Sequence, residues 1–147
     1  MTSIFQTLPQ LAQYHLTLSL LAALILLVLM QGFLLAPLAF IKEEQSPGMP
    51  LKGDPSLFSF RVIRTYQNST ESLPLILGAA FLAIIAGVSP GWVNWLVGIH
   101  FLARIAFWVA YYSGVGKHAG GIRTLTFVIG LVSNIVLAGM TLFTIAV

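Results

Sequence analysis

Three formal charges and an amide lie along one face of a long apolar stretch: Arg61, Arg64, Asn68 and Glu71. Read as a helix they stand at i, i+3, i+7 and i+10, which at about 100° per residue confines them to roughly 80° of arc. The apolar run Leu75 to Val88 follows without a break. The stripe therefore occupies the first half of a membrane-length helix, where charge is costly and by default marks a site. Arg104 and Arg123 stand in or beside later apolar runs. The chemistry open to such a set is electrostatic, because a guanidinium in a low-dielectric site favours an anion over its conjugate acid. No carboxylate pair, nucleophile triad or phosphate loop accompanies it. The chain has no cysteine, so any thiol must come from a substrate or cofactor, and neither a disulfide framework nor a Cys-based metal site can form.

The elements that must position these groups are read from hydropathy. The 147 residues are 58% hydrophobic and only 7% charged, against about 25% charged in a soluble domain. The mean hydropathy of +0.94 agrees with an all-α integral membrane protein of one domain, residues 1–147. Four spans are expected, at about 14–40, 59–88, 92–114 and 121–146, each with at least the ~20 residues that cross hydrocarbon. Glu43, Glu44, Pro47, Gly48, Pro50, Gly53, Asp54 and Pro55 make the first connection a loop, Ser89-Pro90-Gly91 a tight turn, and residues 115–120 a Gly-rich loop. Four spans and three loops give an up-down-up-down four-helix bundle. Nothing before Lys42 is positively charged, and the first apolar run exceeds a 7–15-residue h-region, so the N-terminus is expected to stay as a span rather than be cleaved. The net charge of +3 is small and no basic, aromatic-interleaved patch suggests nucleic acid.

Orientation follows from Lys42, Lys52, Arg61, Arg64, Arg104, Lys117 and Arg123. All but Arg104 lie in or beside the first and third loops, which the positive-inside rule places in the cytoplasm, with both termini opposite. Counting in from that side at 1.5 Å per residue, Arg64 is about 6 Å deep, Asn68 about 12 Å and Glu71 about 16 Å. On the antiparallel third span Tyr111 is about 5 Å and Arg104 about 15 Å deep, and Gln31 of the first span is about 14 Å deep. Equal depth predicts a buried Glu71–Arg104 ion pair beside Gln31, in a polar cavity opening to the cytoplasm. That pair could lock helix packing or bind a ligand. His100 has no second ligand at metal spacing and reads as a hydrogen-bonded structural histidine; His118 reads as a solvated loop residue. Tyr111 and Tyr112 fit an aromatic belt, Lys42 and Arg61 fit interfacial anchors, and Ala79, Ala83 and Gly87 form a small-residue packing ridge. Asn134 shares a face with Arg123 and Gly130 and is expected to bond across helices.

The pattern Arg61-x-x-Arg64-x-x-x-Asn68-x-x-Glu71-x-x-Pro74 early in the second of four spans resembles the MAPEG family, the membrane-associated proteins of eicosanoid and glutathione metabolism. Ala103-Arg104-x-x-Phe107-x-x-x-Tyr111 in span three and Ile122-Arg123-Thr124 opening span four support the resemblance, which covers nearly the whole chain. It implies a homotrimer that binds glutathione between subunits near the cytoplasmic face. Carried onto this chain, it implies that Arg64, Asn68, Glu71 and Tyr111 hold the peptide and that Arg123 stabilises its thiolate. Arg104 would sit under the tripeptide and pair with the acidic residue, and Lys42 would reach in from the neighbouring subunit. Phe107 departs from the Tyr or His that eicosanoid enzymes place there. The activity implied is a glutathione-dependent transferase or peroxidase for hydrophobic electrophiles or lipid hydroperoxides, reached from the bilayer. The alternative is a non-catalytic lipid-binding or scaffold member like the five-lipoxygenase-activating protein.

Overall fold

A computed structural model describes residues 6, 8–41, 43, 45–46, 48–115 and 120–147. Lys42, Lys117 and His118 lie outside these residues. Among them are four helices long and apolar enough to cross a membrane, and no strand: α1 (Pro9–Phe40), α2 (Phe58–Ala86), α3 (Pro90–Tyr112) and α4 (Ile122–Ala146). α3 is the most enclosed and packs against each of the others.

Pro9 opens α1 with a 3₁₀ turn through Tyr14 that runs straight into the α-helix of the expected span. A proline at the first helical position costs nothing, since its missing N–H would have no partner there. Near the other end a π turn spans Gln31–Leu35. Pro37 follows, and without an N–H it cannot bond the carbonyl four residues back. The turn also brings Gly32 against Tyr66 of α2: a Cβ at Gly32 would stand 2.9 Å from Tyr66 Oη. The following loop is stapled by Gln45, whose Nε2 donates to the Lys52 carbonyl and whose Oε1 accepts from the Lys52 N–H at 3.2 Å.

α2 ends at Gly87 in the left-handed region (φ 77°). The Val88 N–H reaches the Ala83 carbonyl at 3.0 Å and the Gly87 N–H the Ile84 carbonyl at 3.2 Å. This is a Schellman closure, which favours glycine at that position because a Cβ is strained in the left-handed region. The Val88 carbonyl then accepts from Tyr14 Oη at 2.7 Å, tying α1 to the α2–α3 turn.

The core joins Leu24 and Val28 of α1, Ile76, Ala80 and Ala83 of α2, Val93 and Val97 of α3, and Leu137 of α4. Large apolar side chains such as Phe33, Phe81, Trp95, Leu102 and Phe143 point outward and are mostly exposed, as suits helices whose surroundings are hydrocarbon. The expected small-residue ridge is corrected by one position. Ala80 and Ala83 are buried, whereas Gly87 is exposed and terminates the helix.

The buried face of α2 carries Thr65, Ser69, Ile76, Ala80 and Ala83. At about 100° per residue the polar stripe is centred roughly 100° around the helix from that face. It therefore flanks the packed surface, along the groove that α2 shares with α3 and α4. This offset decides which polar groups meet.

Candidate functional site

Arg104 is 2% exposed, and a guanidinium so placed needs acceptors. It finds them on α2: Nη1 donates to Asn68 Oδ1 at 2.8 Å and Nη2 makes a longer contact with Ser69 Oγ at 3.5 Å. Its guanidinium also stands over the Phe107 ring, 4.7 Å from the centroid. Ser69 Oγ accepts a second bond, from Trp108 Nε1 at 2.9 Å, and gives its own proton to the Thr65 carbonyl. One serine thus joins two α3 side chains to α2.

The expected Glu71–Arg104 ion pair does not form. Glu71 is exposed, has no ion pair among the described residues, and leaves Asn68 as the acceptor at 2.8 Å. Equal depth is insufficient because Glu71 lies about 200° around the helix from Ser69, the residue that faces α3. Gln31 does not join either. Its Nε2 donates to Tyr112 Oη at 2.6 Å, so it binds α1 to the end of α3, and Tyr112 serves that contact rather than only a lipid–water boundary.

Two cavities adjoin along the groove and share Asn68 and Phe127. The first, of about 220 Å³, lies near the α3–α4 loop. Arg64 and Asn68 line it from α2, Phe107 and Tyr111 from α3, and Arg123, Thr124 and Phe127 from α4. Its dominant feature is Arg123. The residue is 5% exposed, and its guanidinium lies over the Tyr111 ring at 4.8 Å. Arg123 Nε is buried without a partner, and the side chain has no hydrogen bond or ion pair among the described residues. A ring face offsets about 0.5–2 kcal/mol, less than the several kcal/mol that desolvating a charge costs. An anion is the ligand this geometry favours. Arg64, exposed at the rim, adds a second cation.

The second cavity, of about 180 Å³, lies deeper in the span. Glu71 and Ser72 line it from α2, His100 and Arg104 from α3, and Gly130 and Asn134 from α4. His100 is a hydrogen-bonded core residue as expected: Nδ1 meets the Gly130 carbonyl at 3.1 Å. Asn134 departs from expectation, since its Oδ1 is buried with no partner across the helix interface.

Of the residues singled out from the sequence, the first cavity gathers Arg64, Asn68, Tyr111 and Arg123, while Glu71 and Arg104 fall in the second. Lys42 lies outside the described residues. Arg61 belongs to neither cavity. It donates to the Ser56 carbonyl and lies 5.8 Å over the Phe58 ring, an anchor at the foot of α2. Ser69, Trp108 and Thr124 were not singled out as site residues. Ser69 sits one residue off the charged stripe and carries no charge to draw notice. Trp108 is indistinguishable in sequence from a lipid-facing aromatic.

Arg64, Asn68, Tyr111 and Arg123, drawn from three helices, thus line one cavity at the positions of the motifs read in the sequence. The comparison with curated proteins gives no match. The model of the MAPEG family matches residues 16–143, from the first turn of the α-helical part of α1 almost to the end of α4. The chain is a multi-pass integral membrane protein that belongs to the MAPEG family.

Proposed function

We propose that this protein is a membrane-bound, glutathione-dependent transferase or peroxidase that acts on hydrophobic electrophiles or lipid hydroperoxides. The observation that carries the reading is the buried Arg123 guanidinium, unpaired among the described residues and lining the cavity with Arg64 and Asn68. The donor set suits the tripeptide, which brings two carboxylates and an ionisable thiol. Arg64, Asn68, Tyr111 and Glu71 hold its polar groups, and Arg123 faces the sulfur. Arg104 acts beneath the peptide by fixing Asn68, and Lys42 adds a cation from the neighbouring subunit. Phe107 donates no hydrogen bond and forms an apolar wall between Arg104 and Tyr111.

The catalytic step is nucleophilic attack by the thiolate, since the thiol itself is a poor nucleophile. An ordinary thiol pKa of ~8.5 leaves only a few per cent ionised at neutral pH. Lowering it by about two units takes roughly 2.7 kcal/mol of differential stabilisation. A desolvated guanidinium facing the sulfur supplies energy of that size, because its own burial cost falls as the anion forms. The sulfur lone pair then makes the new bond to the electrophile, and the leaving group departs with its electron pair.

The assembly proposed is a homotrimer with the site shared between subunits. Arg64 and Glu71 are exposed on a helix of the single subunit that is long and apolar enough to span the bilayer, and charge turned to lipid is costly. A second copy covers it. In this reading the first and third loops face the cytoplasm, the side that their basic residues favour. Cross-linking in mild detergent is expected to give trimers; only monomers would remove this part.

The test of the function is the absorbance of the thiolate as purified protein is titrated with glutathione. A saturable signal that Arg123→Ala abolishes, with the peptide still bound, supports the reading. If the wild type shows neither thiolate absorbance nor glutathione binding, the non-catalytic lipid-binding or scaffold reading takes its place.

A further inference from the structure

A third cavity lies on the far side of the bundle. α2 and α3 each pack against all the other helices, so they share the short diagonal of the bundle, with α1 and α4 at its outer corners. The groove between α1 and α3 is therefore opposite the α2–α4 groove that holds Glu71. It encloses about 450 Å³ and is lined by Leu16 of α1 and by Gly91, Asn94, Trp95, Gly98 and Leu102 of α3. A Cβ at Gly91 or Gly98 would meet nothing closer than 3.9 Å, so no side chain of the subunit fills the floor. A heterologous ring closes only when its two contacting faces are inclined, whereas opposite faces propagate an open row. In the trimer proposed above, the α1–α3 face is therefore the one left to the bilayer. That placement rests on the trimer reading; the chemistry of the groove does not.

Asn94 sets that chemistry. Its Oδ1 accepts from the Thr17 N–H at 3.1 Å and the Thr17 hydroxyl at 2.7 Å, and its Nδ2 donates to the Gln13 carbonyl at 2.9 Å. A backbone N–H only donates and a carbonyl only accepts, so the orientation of the amide is fixed. The oxygen has spent both lone pairs, while Nδ2 has spent one of its two N–H groups. The other polar group lining the groove, the Trp95 indole, is a donor only. The groove thus suits an acceptor that brings no proton of its own, since a hydroxyl proton would find no acceptor there.

The dimensions match one leaflet. From Gly91 to Leu102 the helix rises about 16 Å, and half of the hydrocarbon core is about 15 Å. Asn94 stands about 6 Å in from Pro90, beside the exposed Trp92 and Trp95 that mark a membrane boundary. We propose that the α1–α3 groove binds a glycerophospholipid of the leaflet at the α2–α3 turn. An ester carbonyl accepts from Asn94 Nδ2, and one acyl chain lies over Gly91 and Gly98 toward Leu102.

The experiment is quenching of Trp95 fluorescence by phosphatidylcholine brominated along one chain, titrated into protein in non-ionic detergent. Trp92→Phe removes the neighbouring indole, and Trp108, the third tryptophan, is buried against Ser69. Saturable quenching is expected, with about fivefold weaker binding of the ether-linked analogue that lacks the carbonyl, the worth of one hydrogen bond. Gly98→Leu, which fills the groove, is expected to leave only quenching that rises linearly with lipid. Linear quenching throughout, or equal affinity for ester and ether, overturns the proposal. Tighter saturable quenching by a brominated sterol gives the groove to a sterol and overturns it too. Should Gly98→Leu fail to fold, ester against ether still decides. Cross-linking of the same sample separates the two readings: an ester preference in a protein that cross-links only as a monomer keeps the site and removes the trimer, and linear quenching in a trimer removes the site alone.

Discussion

Removing Asn68 and removing Glu71 should have unequal consequences for stability, although the two residues are one turn apart on the same stripe. Arg104 is 2% exposed and donates to Asn68 Oδ1 at 2.8 Å, whereas Glu71 forms no ion pair with it. Asn68→Ala takes the best acceptor from a buried guanidinium, leaving a 3.5 Å contact to Ser69 and the Phe107 ring. A hydrogen bond to a charged group is worth about 1.5–3 kcal/mol, so a loss of about 2 kcal/mol is expected. Glu71→Ala removes no partner of Arg104 and should change stability by no more than about 0.5 kcal/mol. Had the two formed a buried pair, breaking it would cost about 3–5 kcal/mol. Unfolding by increasing SDS fraction in mixed micelles, followed by helical circular dichroism without glutathione, measures both. Asn68→Asp, which keeps an oxygen at the same reach, should recover most of the loss. The reasoning fails if Glu71→Ala is the more damaging substitution, or if Asn68→Ala matches the wild type.

Arg123→Lys should leave stability near that of the wild type and lose most of the thiolate absorbance, because an ammonium lacks the planar fork and stacks poorly on the Tyr111 ring; conjugation of a model electrophile at the wild-type rate by Arg123→Ala would remove the thiolate role. Gly32→Ala should cost about 1–2 kcal/mol, since its Cβ would stand 2.9 Å from Tyr66 Oη, and Tyr66→Leu in the same chain should relieve it in the same SDS assay. At Gly87 (φ 77°) alanine should lower stability by about 1 kcal/mol, and asparagine, which tolerates the left-handed region, by less.

The spans were legible in the sequence because hydrocarbon is a uniform solvent. It requires about 20 apolar residues per helix and satisfied backbone bonds, and both are properties of composition along the chain. The first loop was legible for the same local reason, as was a tight turn between α2 and α3, although it falls at Gly87 to Ser89, with Pro90 and Gly91 already in α3. The Arg61–Glu71 stripe could be placed on one face from its spacing, and Arg64, Asn68, Phe107, Tyr111 and Arg123 of the cavity lining belong to motifs that each lie within one helix, whereas Thr124 and Phe127 were not singled out.

Partner choice was not legible. Counting rise gives depth, but a contact also depends on azimuth, and the rotation of α2 about its axis is fixed by packing Ile76, Ala80 and Ala83 against the core. That rotation turns Ser69 toward α3, leaves Asn68 within 2.8 Å of Arg104 and swings Glu71 into the groove. Gln31 was expected at the depth of Arg104, yet it bonds Tyr112, about two turns nearer the end of α3. The unpaired acceptors of His100 and Asn134 are a property of the assembled helices alone. Sequence sets where each polar group stands along its own span; only the tertiary structure decides what it faces, because packing sets rotation and rotation sets contact.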